Sequence, residues 1–160
     1  MDQIKNKSAL KLIMLFSFFA VVSTYFIQYV LGHKPCNLCF IERIPYLLSV
    51  LLIAITIILK KFEKTVLILL SLFFIFGTAI SFYHFGIEQG FFSESLICSL
   101  EKNDSNLSRG DILKQLKQTT ISCKDITFRF FGLSLATINT VISLILSVIT
   151  IKLFLNYEKN

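Results

Sequence analysis

Cys36 and Cys39 are separated by two residues, and Glu42 and Arg43 follow at once. A Cys-x-x-Cys pair closes a small ring, so it is readily oxidised and reduced, and its thiols tend toward lowered pKa. Arg43 is four residues beyond Cys39, about one helical turn. Its fixed charge can stabilise a thiolate, or negative charge developing on an electron acceptor. By spacing alone the same arginine reads equally as a snorkelling anchor for a short membrane helix. Two further cysteines, Cys98 and Cys123, lie 25 positions apart and can pair only if the chain between them folds back. Four cysteines allow three pairings. Cys36–Cys39 with Cys98–Cys123 is the expected resting arrangement, and crossed pairs between the two regions are the expected intermediates of electron transfer.

The elements that must hold these thiols are membrane helices. The chain has 160 residues, of which 54% are hydrophobic and 16% charged, and its mean hydropathy is +0.72. A soluble domain of this size cannot hide so much apolar surface. Four apolar segments stand out, at 12–31, 44–59, 65–87 and 130–151. A spanning helix needs about 20 such residues. The second segment is short, and Arg43 and Lys60–Lys61 are placed to snorkel from its ends. The first is too long for a signal-peptide core and has no small-residue cleavage site before Cys36, so it is expected to be retained. The whole chain reads as one integral membrane domain: an all-α four-helix transmembrane bundle with outer loops at 32–43 and 88–129.

Charge sets the expected orientation. Nearly all of the net charge of +6 lies on Lys5, Lys7 and Lys11, on Lys60, Lys61 and Lys64, and on Lys152 and Lys159, against few acids. These ends are expected to face the cytosol, with both termini inside. All four cysteines then fall on the outer side, where disulfides persist. The basic residues cluster at the ends of apolar segments, so the positive charge points to a lipid bilayer and not to nucleic acid. In the long outer loop, Asp111 is placed to cap a short amphipathic helix through about Thr119, with Ile112, Leu113 and Leu116 on one face. Asn139, inside the fourth segment, is expected to hydrogen-bond between helices.

The segment Lys34-Pro35-Cys36-Asn37-Leu38-Cys39-Phe40-Ile41-Glu42-Arg43 closely resembles the Pro-Cys-x-Leu-Cys-x-x-Glu-Arg motif of DsbB, the bacterial disulfide bond formation protein B family. Tyr83-His84-Phe85-Gly86-Ile87-Glu88-Gln89 is similar to the family's segment at the outer end of the third span, and Phe128 to Asn139, with its Phe-Gly-Leu-Ser core, to the segment that leads into the fourth. The resemblance covers the whole chain. It implies a multi-pass protein of the bacterial inner membrane with periplasmic cysteines. It implies a protein-dithiol:quinone oxidoreductase that reoxidises a DsbA-like thioredoxin-fold thiol oxidase during protein folding and passes the electrons to membrane quinone, ubiquinone or menaquinone.

Carried onto this sequence, the resemblance makes Cys98 the residue attacked by the partner and Cys123 its pair-mate. Cys36 and Cys39 accept the electrons, with Cys39 nearest the quinone and Arg43 beside it. His84, Glu88 and Gln89 become candidates for proton delivery or quinone bonding; without the resemblance they read as polar residues capping the third span. Three rivals are weaker. A four-cysteine zinc site needs two close ligand pairs, which Cys98 and Cys123 do not supply, so no metal is expected. A purely structural staple rarely closes so small a ring as Cys36–Cys39. A vitamin K epoxide reductase type of quinone reductase carries its Cys-x-x-Cys late in the chain, whereas here it is early.

Overall fold

The computed structural model describes residues 2–59, 62–93, 98, 122–124 and 128–158. The first helix, α1, spans Asp2–Tyr29. A turn through Gly32, at φ +74°, leads into Pro35 and the short helix α2, Asn37–Ile41. Helix α3 follows at Ile44–Leu59. The break between α2 and α3 has a local cause in Pro45. Proline has no N–H to give to the carbonyl four residues back, here that of Ile41, and its ring crowds that carbonyl. The chain turns at Glu42 and Arg43 and resumes as helix with Pro45 in the first turn, where proline is tolerated.

Helix α4 spans Glu63–Glu88, and α5 spans Leu135–Glu158. Between them, Arg129–Phe130 (β1) pairs antiparallel with Leu133–Ser134 (β2). Phe131 and Gly132, at φ +50° and +83°, form the two-residue turn, as a tight hairpin with right-handed strand twist requires.

Among the described residues, four helical stretches are long and apolar enough to cross a membrane: Ser8–Tyr29, Asn37–Leu59, Glu63–Glu88 and Leu135–Tyr157. The fold is an all-α membrane bundle. Of the boundaries that differ from those read in the sequence, two bear on the site. The second stretch is 23 residues long because α2 extends it, so the redox motif begins the span and does not precede it. The fourth starts at Leu135 and not at residue 130, because the hairpin turn consumes the intervening residues. The amphipathic helix expected at 111–119, like most of the loop at 88–129, lies outside the described residues.

Helix α4 packs along α5, α1 packs against α3, and α3 against α4. Three helices meet at Gly77, where an added Cβ would lie 3.2 Å from Pro45 Cγ and 3.5 Å from Ser143 Oγ. Small residues permit such close approach, which drives helix association where lipid removes the hydrophobic force between spans. Ile53, Leu67, Leu70 and Phe74 fill the core between these helices. Hydroxyls buried among the helices turn back onto their own backbone: Ser71, Ser81 and Thr150 donate to the carbonyls of Leu67, Gly77 and Leu146 at 2.7–2.9 Å. That bond satisfies a polar group that lipid cannot. Leu12, Phe18, Ile58, Leu72, Phe82 and Ile145 instead face outward, as lipid contact demands.

Candidate functional site

A second, smaller cluster lies at the end of the bundle where α2 begins. It packs Cys36, Leu38, Ile87 and Cys123 together, with Cys39 and Cys98 against them. Both cysteine pairs therefore share one packed unit. Cys98 and Cys123 are joined in a disulfide, and Cys123 is 2% exposed. Cys36 and Cys39 are thiols with their sulfurs 2.9 Å apart. The two sulfurs are unbonded here, whereas the resting arrangement read from the sequence joins them. The helical spacing of α2 brings the two sulfurs together in either form. Cys36 is the N-cap of α2, and the Cys39 backbone N–H donates to its sulfur at 3.4 Å.

The Cys36 thiol is pushed down to about 4. The largest cause is the hydrogen bond from the Cys39 side chain; the bond from His84 and its charge add to it, while burial opposes it. A thiol held low in this way ionises readily and is a good leaving group.

His84 connects this sulfur to a polar network. Its Nε2 lies 3.5 Å from Cys36 Sγ, and its Nδ1 lies 2.7 Å from Glu42 Oε1. Asn139 Nδ2 donates to the other oxygen of Glu42 at 2.9 Å. The Tyr46 hydroxyl donates to Asn139 Oδ1 at 2.6 Å and lies 2.9 Å from Ser143 Oγ. Asn139 thus bonds across to both Glu42 and Tyr46, which ties α5 to the segment carrying the thiols. Both Glu42 and His84 are buried. A buried carboxylate is tolerable here because each oxygen has a donor.

The candidate residues read from the sequence separate into two groups. His84 enters the thiol cluster. Glu88 lies beside it, with Oε1 3.9 Å from His84 Nε2; its side chain is 6% exposed. Its second oxygen is buried with no hydrogen-bond partner among the described residues. Gln89 instead caps α4 through its backbone and is exposed, away from the cluster. Glu42 and Ser143 are site residues to which the sequence assigned no role. Glu42 carried a signal, since it stands in the motif three residues after Cys39. Nothing in the sequence pairs it with His84 or Asn139.

Arg43 faces a different partner set. Its Nη1 donates to Gln28 Oε1 at 2.7 Å, and its guanidinium carbon lies 5.0 Å from the Tyr25 ring centre and 5.1 Å from that of Phe40. Two aromatic faces and one amide hold a buried cation that has no carboxylate partner among the described residues, an arrangement suited to receiving an anion.

A cavity of about 350 Å³ opens between α1, the α2–α3 segment and α5. Its wall includes Phe16, Phe19, Ile27 and Ile142, and its polar end is formed by Cys39, Glu42, Arg43, Tyr46 and Asn139. Cys36 and His84 are not on that wall. An apolar slot with a cation and a hydroxyl at one end fits an apolar ring that carries carbonyl oxygens. The ligating atoms of Cys36, Cys39 and His84 lie within 4.8 Å of one another. However, two thiolates on one tetrahedral zinc stand ~3.8 Å apart, and these sulfurs are at 2.9 Å. They are spaced for sulfur–sulfur chemistry.

Comparison with known proteins agrees with this geometry. A family model for the disulfide bond formation protein DsbB matches residues 6–153. Over 149 residues the chain is 28% identical to the Uncharacterized protein RP370 of Rickettsia prowazekii (strain Madrid E), across 90% of this chain and 84% of that one. With nearly its whole length matched and its cysteines gathered at one end of a membrane bundle, the chain belongs to the DsbB family of disulfide bond formation proteins.

Proposed function

We propose that this chain is a protein-dithiol:quinone oxidoreductase. It reoxidises a thioredoxin-fold thiol oxidase and passes the electrons through Cys98–Cys123 and then Cys36–Cys39 to a membrane quinone. The observation that carries the reading is that both pairs share one packed cluster, while Cys39 also lines the apolar cavity beside Arg43.

The relay balances as a set of exchanges. A partner thiolate attacks Cys98, and Cys123 leaves as a thiolate. The partner's second thiol closes the partner disulfide and frees Cys98. The Cys123 thiolate attacks Cys36 in its disulfide, and Cys39 leaves into the cavity wall. Cys98 then attacks Cys123 in the crossed pair, which restores Cys98–Cys123 and frees Cys36. Each step is a thiol–disulfide exchange whose rate depends on the leaving thiol, and the low pKa of Cys36 favours its departure from the crossed pair. A quinone bound in the cavity supplies an acceptor for two electrons and two protons. Arg43 places positive charge at the cavity wall, and the apolar side chains around it exclude water.

The crossed pair gives the experiment. With Cys39 and Cys98 both changed to Ser, mild oxidation should join Cys36 to Cys123, and peptide mapping should recover that disulfide in most of the protein. Recovery of both as alkylatable thiols would show that the pairs do not exchange directly. The charge distribution supports placing both termini in the cytosol, the cysteines in the periplasm and the protein in the inner membrane. After reduction of intact spheroplasts, a membrane-impermeant thiol reagent should then label the cysteines; full protection of all four would reverse the orientation.

A further inference from the structure

Oxidation of Cys36 and Cys39 to a disulfide releases two electrons and two protons, and a quinone that takes up both pairs becomes a quinol. Cys39 is on the cavity wall and can lose its proton there directly. Cys36 is not, and it is 5% exposed, so the proton its thiol gives up on becoming a thiolate needs a route. The described residues offer a continuous one. Cys36 Sγ contacts His84 Nε2 at 3.5 Å, His84 Nδ1 contacts Glu42 Oε1 at 2.7 Å, and Glu42 lines the cavity.

We propose that His84 and Glu42 form a proton conduit: His84 takes the proton that the Cys36 thiol gives up on becoming a thiolate, and Glu42 passes it to the polar end of the cavity, so that electrons leave through Cys39 and this proton leaves through Glu42. The inference rests on the quinone reading above and adds to it a path and two roles. His84 is catalytic in the strict sense, because it touches a reacting sulfur. Glu42 receives the proton from His84 and holds the imidazole with Nε2 toward sulfur. Asn139 and Tyr46 are positioning residues: they fix the second Glu42 oxygen, so the first keeps its line to His84.

The charged and titratable groups around His84 are few. Cys36 faces it from the start of α2 with Cys39 Sγ within 4.8 Å, Glu42 from the turn after α2, and Glu88 from its own helix at 3.9 Å. Cys39 and Glu42 both meet the cavity, and of the two it is Glu42 that lies within hydrogen-bond distance of His84, which gives the route its direction. Glu88 is a dead end by comparison, since its free oxygen is buried away from that wall.

The test uses the full chain in detergent, chemically reduced and mixed with a short-tailed soluble quinone, for the native protein, Glu42→Gln and His84→Gln. Oxidation of the thiols should slow by about a hundredfold in each variant, the lower end of what positioned proton transfer contributes. A second readout needs no quinone: the thiolate absorbance of the reduced protein followed against pH. In the native chain the Cys36 midpoint should lie well below that of an ordinary thiol. Both variants should move it upward, because the thiolate loses its hydrogen-bonded imidazole or the carboxylate that orients that imidazole. Native-rate reduction of Cys98–Cys123 by a small dithiol certifies the fold of each variant. Native oxidation rates in both variants overturn the conduit, whether or not the titration moves. If the native protein leaves the quinone oxidised while both variants shift the titration, the error lies in the choice of acceptor and the Cys36–His84–Glu42 couple stands.

Discussion

Cys39→Ser is expected to stop electron delivery to quinone, with a loss of about a thousandfold or more, as removal of an essential nucleophile gives in other enzymes. The reason is chemical. A serine hydroxyl forms no disulfide with Cys36, so the Cys123 thiolate released by the partner finds no bond to attack. Electrons then stop at the Cys98–Cys123 stage. The same variant should still accept one equivalent of dithiol from the partner, because that disulfide is remote in sequence and intact in the packed cluster. Stopped-flow absorbance of the quinone, with acid quench and alkylation of the thiols, separates the two steps. Equal quinone rates in native and variant protein would remove Cys39 from the path.

Arg43→Met should raise the KM for quinone roughly tenfold to a hundredfold, while partner exchange at Cys98–Cys123 stays near its native rate. The size follows from the energetics of a charge-assisted hydrogen bond, about 1.5–3 kcal/mol, converted at 1.4 kcal/mol per tenfold. Methionine keeps the straight apolar stem between Tyr25 and Phe40 and removes only the guanidinium. It also strands Gln28 Oε1, which now accepts from Arg43 at 2.7 Å, so some loss of thermal stability accompanies the kinetic effect. The two are told apart by assaying well below the unfolding transition. A variant that binds quinone normally but exchanges slowly with the partner would move the quinone site away from this cavity.

Much of the architecture was legible in the chain because lipid imposes a simple rule. Long uncharged apolar runs become helices, since no other open structure satisfies its backbone there. That rule located all four spanning helices. It missed two boundaries where local chemistry intervenes. The motif Cys36–Arg43 reads as loop because it is short and polar, yet Pro45 merely interrupts a helix that resumes on both sides. The stretch from Phe130 reads as apolar span, yet Phe131 and Gly132 adopt positive φ and make a hairpin.

The site was legible in proportion to how local it is. Cys36, Cys39 and Arg43 stand within eight residues, so their spacing carries the chemistry. Glu42, His84 and Asn139 come from three separate segments, and only the packing of α4 and α5 against the α2–α3 turn brings them together. A carboxylate beside an arginine in sequence reads as that arginine's partner. In the fold Glu42 turns to His84 and Asn139, and Arg43 turns to Gln28. The division leaves one side of the turn cationic at the cavity and the other side coupled to the buried thiolate.

The central claim is that this chain couples oxidation of a protein dithiol to reduction of quinone through both cysteine pairs. It is tested most directly by mixing purified native protein with a reduced thioredoxin-fold dithiol partner and soluble quinone, and counting both products. One quinone should disappear for each partner disulfide formed, over many turnovers and without oxygen. Partner oxidation that ends after the protein's own disulfides are spent, with the quinone untouched, would contradict it.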